Sequence, residues 1–254
     1  MTQIRVGGRL VTCTAIVFDK DGTLTDSYAT WARLVEGRVR ALAGQGFPVS
    51  GRLAYLLMRA MGYNARTGRI DPRSPLAAGT REETVAAAAF VLYRRGIPWD
   101  QAVAMVRAAF DEADETLGLA SLARVFAGTA DKLRELREAG CRIGVATNDS
   151  RERTGKILEL CGLAGLIDAV ACGDEVERAK PAPDLAVLVC QRLGVTPGEA
   201  LFVGDSLTDA AMARAASVGF SVGVLSGGLS RGELEGAFDA VIGSVLELRP
   251  ADLL

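Results

Sequence analysis

Between residues 129 and 242 the chain alternates short apolar runs with segments of helical period, and few folds satisfy that alternation. Thr129 opens a helical pattern through Leu133 and Leu136 that stops at Gly140. Residues 141–146 read as a strand, followed by a helix through Ile157, Leu158 and Leu160 to Gly162. A short strand at 169–172 comes next, then a helix at 184–193 after Pro181 and Pro183. A strand at 200–203, a helix at 207–215, a strand at 218–224 and an edge strand at 240–242 complete the pattern. Strands separated by helices cannot pair as tight hairpins, so the spacing predicts an α/β fold with a parallel, doubly wound sheet.

One further apolar run, 15–18, lies far upstream and is cut off by Asp19 and Asp21, then Gly22 and Thr23. Read as a buried strand of the same sheet, it leaves both acids at its carboxyl end, where open parallel sheets bind ligands. Two carboxylates this close repel unless a cation or a shared proton intervenes. Mg²⁺ suits the position, because it takes one or two carboxylates together with phosphate oxygens and waters. Gly22 lets the backbone approach a ligand, and the turn N–H groups at Gly22 and Thr23 could meet an anion. An Asx turn with both acids solvated uses the same residues. An EF-hand is excluded, because Gly22 comes too early for that loop.

Composition narrows the chemistry. The chain has no His, which removes Ser-His-Asp and Cys-His catalysis, His-ligated zinc and a phosphohistidine. Acid–base work then falls to carboxylates, Lys, Tyr, Cys or water, and weight moves to the Asp pair. A formal net charge of -2 gives no basic field for nucleic acid. No apolar run spans a bilayer, and residues 1–12 lack the apolar core of a signal peptide, so a cytoplasmic protein is expected. The five cysteines form no C-x-x-C pair and read as buried, reduced thiols.

Residues 27–120 have a different texture. Trp31, Leu34, Val35, Val39 and Leu42 keep a helical period behind a cap at Asp26 or Ser27. A second helix carries Leu53, Leu56, Leu57, Ala60 and Met61, and an irregular loop follows at 62–79. Thr80-Arg81-Glu82-Glu83 is a capping box opening a third helix, and a fourth starts at Asp100. The block reads as all helix with no strand. The organisation expected is a core from 1–25 and 121–254, with a helical cap at 26–120 inserted after the first strand. A cap at that point suits a lid that excludes water.

Three more stretches end predicted strands. Thr147 and Asn148 lie where a strand enters a helix, so Thr147 and nearby N–H groups could hold a phosphate; capping by Thr147, Asp149 or Ser150 fits equally. Lys180, just before Pro181, could neutralise a phosphoryl oxygen or simply be solvated. Asp205 and Asp209, one helical turn apart, can face one point; acids near a helix N-terminus are also favoured by its dipole.

Taken in order, Asp19-Lys20-Asp21-Gly22-Thr23, Thr147, Lys180-Pro181 and Gly204-Asp205 with Asp209 resemble the four motifs of the haloacid dehalogenase-like superfamily of phosphohydrolases. The resemblance covers about residues 14 to 209 and implies a Rossmann-like core with a helical cap. It implies Asp19 as nucleophile, giving an aspartyl-phosphate, and Asp21 as general acid and then base, its pKa raised by anionic neighbours. It implies Thr147 on a phosphoryl oxygen and Lys180 offsetting charge. Mg²⁺ would be held by Asp19, the carbonyl of Asp21 and Asp205, with Asp209 ligating through water or steadying Lys180. The dehalogenases of the superfamily lack an acid at the position of Asp21, so its presence favours phosphate esters.

Between residues 26 and 130 there is no Lys, whereas phosphonoacetaldehyde hydrolases and the sugar-phosphate mutases of the family use a cap Lys. Arg66, Arg69, Arg73 and Arg81 surround the irregular loop instead, and a guanidinium suits a carboxylate bidentately. A small carboxylated phosphate such as 2-phosphoglycolate follows, and the motifs also look like those of phosphoglycolate phosphatase relatives. A solvated Arg face accounts for the same residues. The expected partner is thus a small phosphorylated metabolite, neither nucleic acid nor membrane. The alternatives are a phosphosugar mutase or phosphotransferase of the same fold, and a binding or regulatory protein without turnover. A nucleotide-binding Rossmann protein is disfavoured, since neither G-x-G-x-x-G after the first strand nor a Walker Lys motif occurs.

Overall fold

The computed structural model describes residues 1–251. The chain opens with β1 (Thr2–Val6) and β2 (Arg9–Cys13), an antiparallel hairpin turned by Gly7 and Gly8, both at positive φ. Ile4 and Val6 face inward, so the polar–apolar alternation of the first residues is a half-buried strand. β3 (Ala15–Phe18) follows and is buried along its whole length. The described chain forms two compact units, residues 1–26 with 123–251, and Ser27–Leu122.

The second unit contains α1 (Tyr28–Gly44), α2 (Gly51–Met61), β4 (Tyr63–Asn64), β5 (Arg69–Ile70), α3 (Pro75–Ala78), α4 (Arg81–Tyr93) and α5 (Trp99–Leu117). Val35, Leu57, Leu92, Val106 and Phe110 are buried together at its centre. The Thr80–Glu83 capping box forms, closing the free N–H groups at the start of α4. The expectation of a strandless block is corrected by the antiparallel β4–β5 ladder. Gly62, at φ 112, ends α2 and turns the chain so that Tyr63 is buried, its hydroxyl 3.2 Å from Glu36 Oε1. Strands of two residues are too short to show a period of two.

The first unit continues with α6 (Thr129–Glu138), β6 (Arg142–Thr147), α7 (Arg151–Leu160), β7 (Ala169–Cys172), α8 (Asp184–Leu193), β8 (Ala200–Gly204), α9 (Leu207–Ala215), β9 (Phe220–Val224), α10 (Arg231–Leu234), β10 (Ala240–Ile242) and β11 (Arg249–Pro250). Six strands form one sheet in the order β10-β9-β8-β3-β6-β7, every neighbouring pair parallel. β11 pairs with β1 to complete a separate three-stranded sheet. Along β3 the side chains alternate between two cores. Ile16 and Phe18 pack with Leu133 and Leu158 of α6 and α7, and Ala15 and Val17 with Leu185 and Val189 of α8. Among the described residues, no helix is long and apolar enough to cross a membrane.

The register positions the site. Phe18 lies opposite Val145 of β6 and Val203 of β8, so β3, β6 and β8 end side by side. The chain leaves β3 toward α1, β6 toward α7 and β8 toward α9, and their carboxyl-terminal tips form the crevice where such sheets take ligands.

Candidate active site

Asp19 follows the last residue of β3, its N–H bonded to the Val203 carbonyl at 2.8 Å, and is 7% exposed. Lys180, between β7 and α8, brings Nζ to 2.5 Å from Asp19 Oδ1 and 2.7 Å from Asp209 Oδ1. Its backbone is clamped by Asn148, whose Oδ1 accepts from the Lys180 N–H at 2.9 Å and whose Nδ2 donates to the Lys180 carbonyl at 3.5 Å. The Asn148 side chain therefore places Lys180. Thr147, buried at the tip of β6, accepts from the Asp149 N–H at 3.2 Å.

Asp205 and Asp209 come from β8 and α9. Asp205 Oδ1 accepts from Thr23 Oγ1 at 3.2 Å. Asp209 Oδ2 accepts from Ser206 N at 3.1 Å and Ser206 Oγ at 2.7 Å, the capping box that starts α9. Thr23 thus reaches a carboxylate. The Gly22 N–H is used inside its own loop, on the Thr25 carbonyl at 2.8 Å. What Gly22 supplies is close approach. Its φ is 83, and a Cβ there would lie 2.5 Å from Asp205 Oδ2. On the other side a Cβ on Gly227 would lie 1.6 Å from the same atom. Ser226 Oγ ties the two loops by donating to the Gly22 carbonyl at 2.6 Å.

Asp19, Asp205 and Asp209 each offer an oxygen within 4.8 Å of the others. Burial pushes Asp19 up to about 7; Lys180 opposes that, and the charges of Asp209 and Asp21 add to it. Asp205 is pushed well above the usual carboxylate range by burial and by Asp19 and Asp209. Burial would pull Lys180 down, but Asp19 and Asp209 together raise it, so it stays an ammonium. Three buried carboxylates sharing one ammonium form a hard, anionic donor set, and the glycine cradle fixes Asp205 within it. These residues fit a divalent cation.

Asp21 carries the second half of the site. Its Oδ2 is 2.6 Å from Lys20 Nζ and its Oδ1 accepts from Thr25 Oγ1 at 3.4 Å. The resemblance implies anionic neighbours around Asp21; the structure adds a cation in direct contact. Lys20 also pairs with Asp149 at 3.1 Å, and Arg153 Nε lies 3.4 Å from the same carboxylate oxygen. The sequence assigns no role to Lys20 or Gly227, and Asp149 enters there only as a candidate helix cap. Lys20 is a cation between two acids in the sequence, whereas Gly227 reaches Asp205 only through packing between distant segments. Arg66, Arg69 and Arg73 belong to the other unit, on the β4–β5 hairpin and the turn after it. All three are exposed, and the Arg66 guanidinium stacks on Tyr55 at 4.8 Å.

Comparison with known proteins agrees with this geometry. Residues 13–217 match the family model described as haloacid dehalogenase-like hydrolase. A phosphoglycolate phosphatase from Salmonella typhi is 32% identical over 216 residues, 82% of this chain and 81% of its own. That from Escherichia coli (strain K12) is 31% identical over 216 residues, with the same 82% and 81% coverage. The crystal structure of a hydrolase from Pseudomonas syringae superposes with a TM-score of 0.63 at 25% identity, covering 92% of this chain and 95% of that one. The chain accordingly belongs to the haloacid dehalogenase-like hydrolases, among their phosphatases.

Proposed function

We propose that the protein is a Mg²⁺-dependent phosphohydrolase that cleaves a small phosphate monoester through an aspartyl-phosphate on Asp19. The observation that carries this reading is the placement of Asp19. It stands at the tip of the central strand, 2.5 Å from the Lys180 ammonium and beside Asp205 and Asp209. A carboxylate oxygen of Asp19 attacks phosphorus and the ester P–O bond breaks. The departing alkoxide takes a proton from the Asp21 carboxyl. Asp21, now ionised, takes a proton from water, whose oxygen attacks phosphorus and releases Asp19 and inorganic phosphate. Lys180 offsets charge on Asp19 and the phosphoryl oxygens, and Thr147 donates its hydroxyl to one of them. Asp19, Asp205 and the Asp21 carbonyl would hold the cation, which would supply Lewis-acid neutralisation of the phosphoryl oxygens. Asp209 steadies Lys180.

The substrate proposed is 2-phosphoglycolate, supported by the phosphatases of that name among the relatives. Arg66, Arg69 and Arg73 are proposed to recognise its carboxylate. The test is phosphate release from a panel of small esters, with Mg²⁺ and with a chelator, beside Asp19→Asn. Mg²⁺-dependent release that disappears in Asp19→Asn is the expected result. Folded protein that releases phosphate from none of the esters would refute hydrolysis of this class.

A further inference from the structure

We propose that Lys20 is a positioning residue. Through its ion pair with Asp149, it holds the Asp21 carboxylate where that group exchanges its proton with the leaving group and with water. This rests on the reading of Asp21 as general acid and base. Lys20 is 1% exposed, yet its ammonium lies 2.6 Å from Asp21 Oδ2 and 3.1 Å from Asp149 Oδ2. Asp149 is a fixed anchor. Its Oδ1 accepts from the Ser150 N–H at 2.9 Å, its carbonyl accepts from the Gly173 N–H at 3.0 Å, and Arg153 braces its Oδ2. Asp21 is held from the other side by the Thr25 hydroxyl, which also reaches the Lys20 carbonyl at 3.1 Å. A carboxylate gripped at both oxygens, between a hydroxyl and an anchored ammonium, has few orientations left.

Stability alone does not ask for a lysine here. A buried ion pair is often no more stable than apolar side chains of the same volume, because desolvation offsets the attraction. An ammonium has three donors on a flexible stem, and this one spends two of its contacts joining the tip of β3 to the turn after β6. That link places the proposed acid relative to the strand tip that carries Thr147.

The experiment compares two esters whose leaving groups differ in their need for a proton. 2-Phosphoglycolate releases an alkoxide that must be protonated, whereas 4-nitrophenyl phosphate releases a stable phenolate. In Lys20→Met, kcat/KM for the alkyl ester, which reports only the steps up to the aspartyl-phosphate shared by both esters, should fall by about 10² or more, the scale of general acid catalysis. For the aryl ester it should fall less than about tenfold, the leaving group needing no acid. Asp149→Asn keeps Lys20 and loosens its anchor; it should show the same selectivity to a smaller degree, and it carries the test if Lys20→Met does not fold. An equal fall on both esters in each folded variant would overturn the inference and leave the phosphatase reading intact. Wild-type protein that cleaves no ester of the panel, these two included, would overturn the reading and the inference with it.

Discussion

Gly227→Ala tests how tightly the acidic cluster is built. A Cβ on Gly227 would lie 1.6 Å from Oδ2, 2.2 Å from Cγ and 2.4 Å from Cβ of Asp205. Ordinary contact begins near 3.4 Å, so atoms must separate by nearly 2 Å. Two responses are open. The 3₁₀ turn Leu225–Gly227 retreats, which strains the Ser226 bond to Gly22, or the Asp205 carboxylate leaves the cluster it forms with Asp19 and Asp209. Either response costs about 1–3 kcal/mol, as overpacking does. In a chain of this length that lowers Tm by roughly 2–4 °C per kcal/mol. Displacing a ligand of the cluster should also weaken divalent-cation binding by about 10–100-fold, as disturbed metal sites do. The assay is titration calorimetry with Mg²⁺ beside thermal unfolding in chelator. Gly232→Ala is the control, since a Cβ there meets nothing within 4 Å. Wild-type Mg²⁺ affinity together with wild-type Tm in Gly227→Ala would refute the packing argument, because no atom would have had to move.

Two further outcomes follow from the same charges. Lys180→Met leaves Asp19 and Asp209 buried without their ammonium, so urea unfolding in chelator should show a loss of about 3–5 kcal/mol; unchanged stability would refute the claim that this ammonium stabilises the cluster. Burial pushes Asp19 up to about 7 in the folded, cation-free chain against 3.8 for an ordinary aspartate, so the folded state holds the extra proton between those pH values. Stability without cation should therefore fall as pH rises from about 4 to about 7, and added Mg²⁺ should raise Tm more at pH 8 than at pH 5.5. An equal Mg²⁺ shift at both pH values would count against protons and cation competing for one site.

What could be read from the sequence follows from how local each signal is. Strands of the six-stranded sheet were readable because each is a short apolar run beside a helix of clear period, and β3 could be assigned to that sheet although it lies far upstream. The β1–β2 hairpin carried its own signal, Gly7-Gly8 between alternating residues, but that stretch was read only for a leader segment. The β4–β5 ladder had none. At the site, Asp19 and Asp205 could be chosen because they follow strands directly, and Asp209 because it lies one helical turn after Asp205. Lys20 could not, because strict alternation would turn it away from both neighbouring acids. The strand stops at Phe18, so the loop rather than the pleat decides where that ammonium goes. Gly227 is close to Asp205 through packing between distant segments, which no local pattern records.

The structure also changes the electrostatic problem that Asp19 and Asp21 pose. From sequence alone, two neighbouring carboxylates repel unless a cation or a shared proton intervenes. In the fold they are divided between two lysines, Asp19 with Lys180 and Asp21 with Lys20. The two halves differ in balance. Asp21 and Asp149 face Lys20 and Arg153, equal numbers of opposite charges, so that half is neutral and can hold a fixed geometry. Asp19, Asp205 and Asp209 face one ammonium, Lys180, and with all three ionised they carry two negative charges in excess. That excess equals the charge of one divalent cation and lies where three oxygen donors converge. The balanced half suits orientation of an acid and base; the unbalanced half suits a cation and the neutralisation of a phosphoryl group.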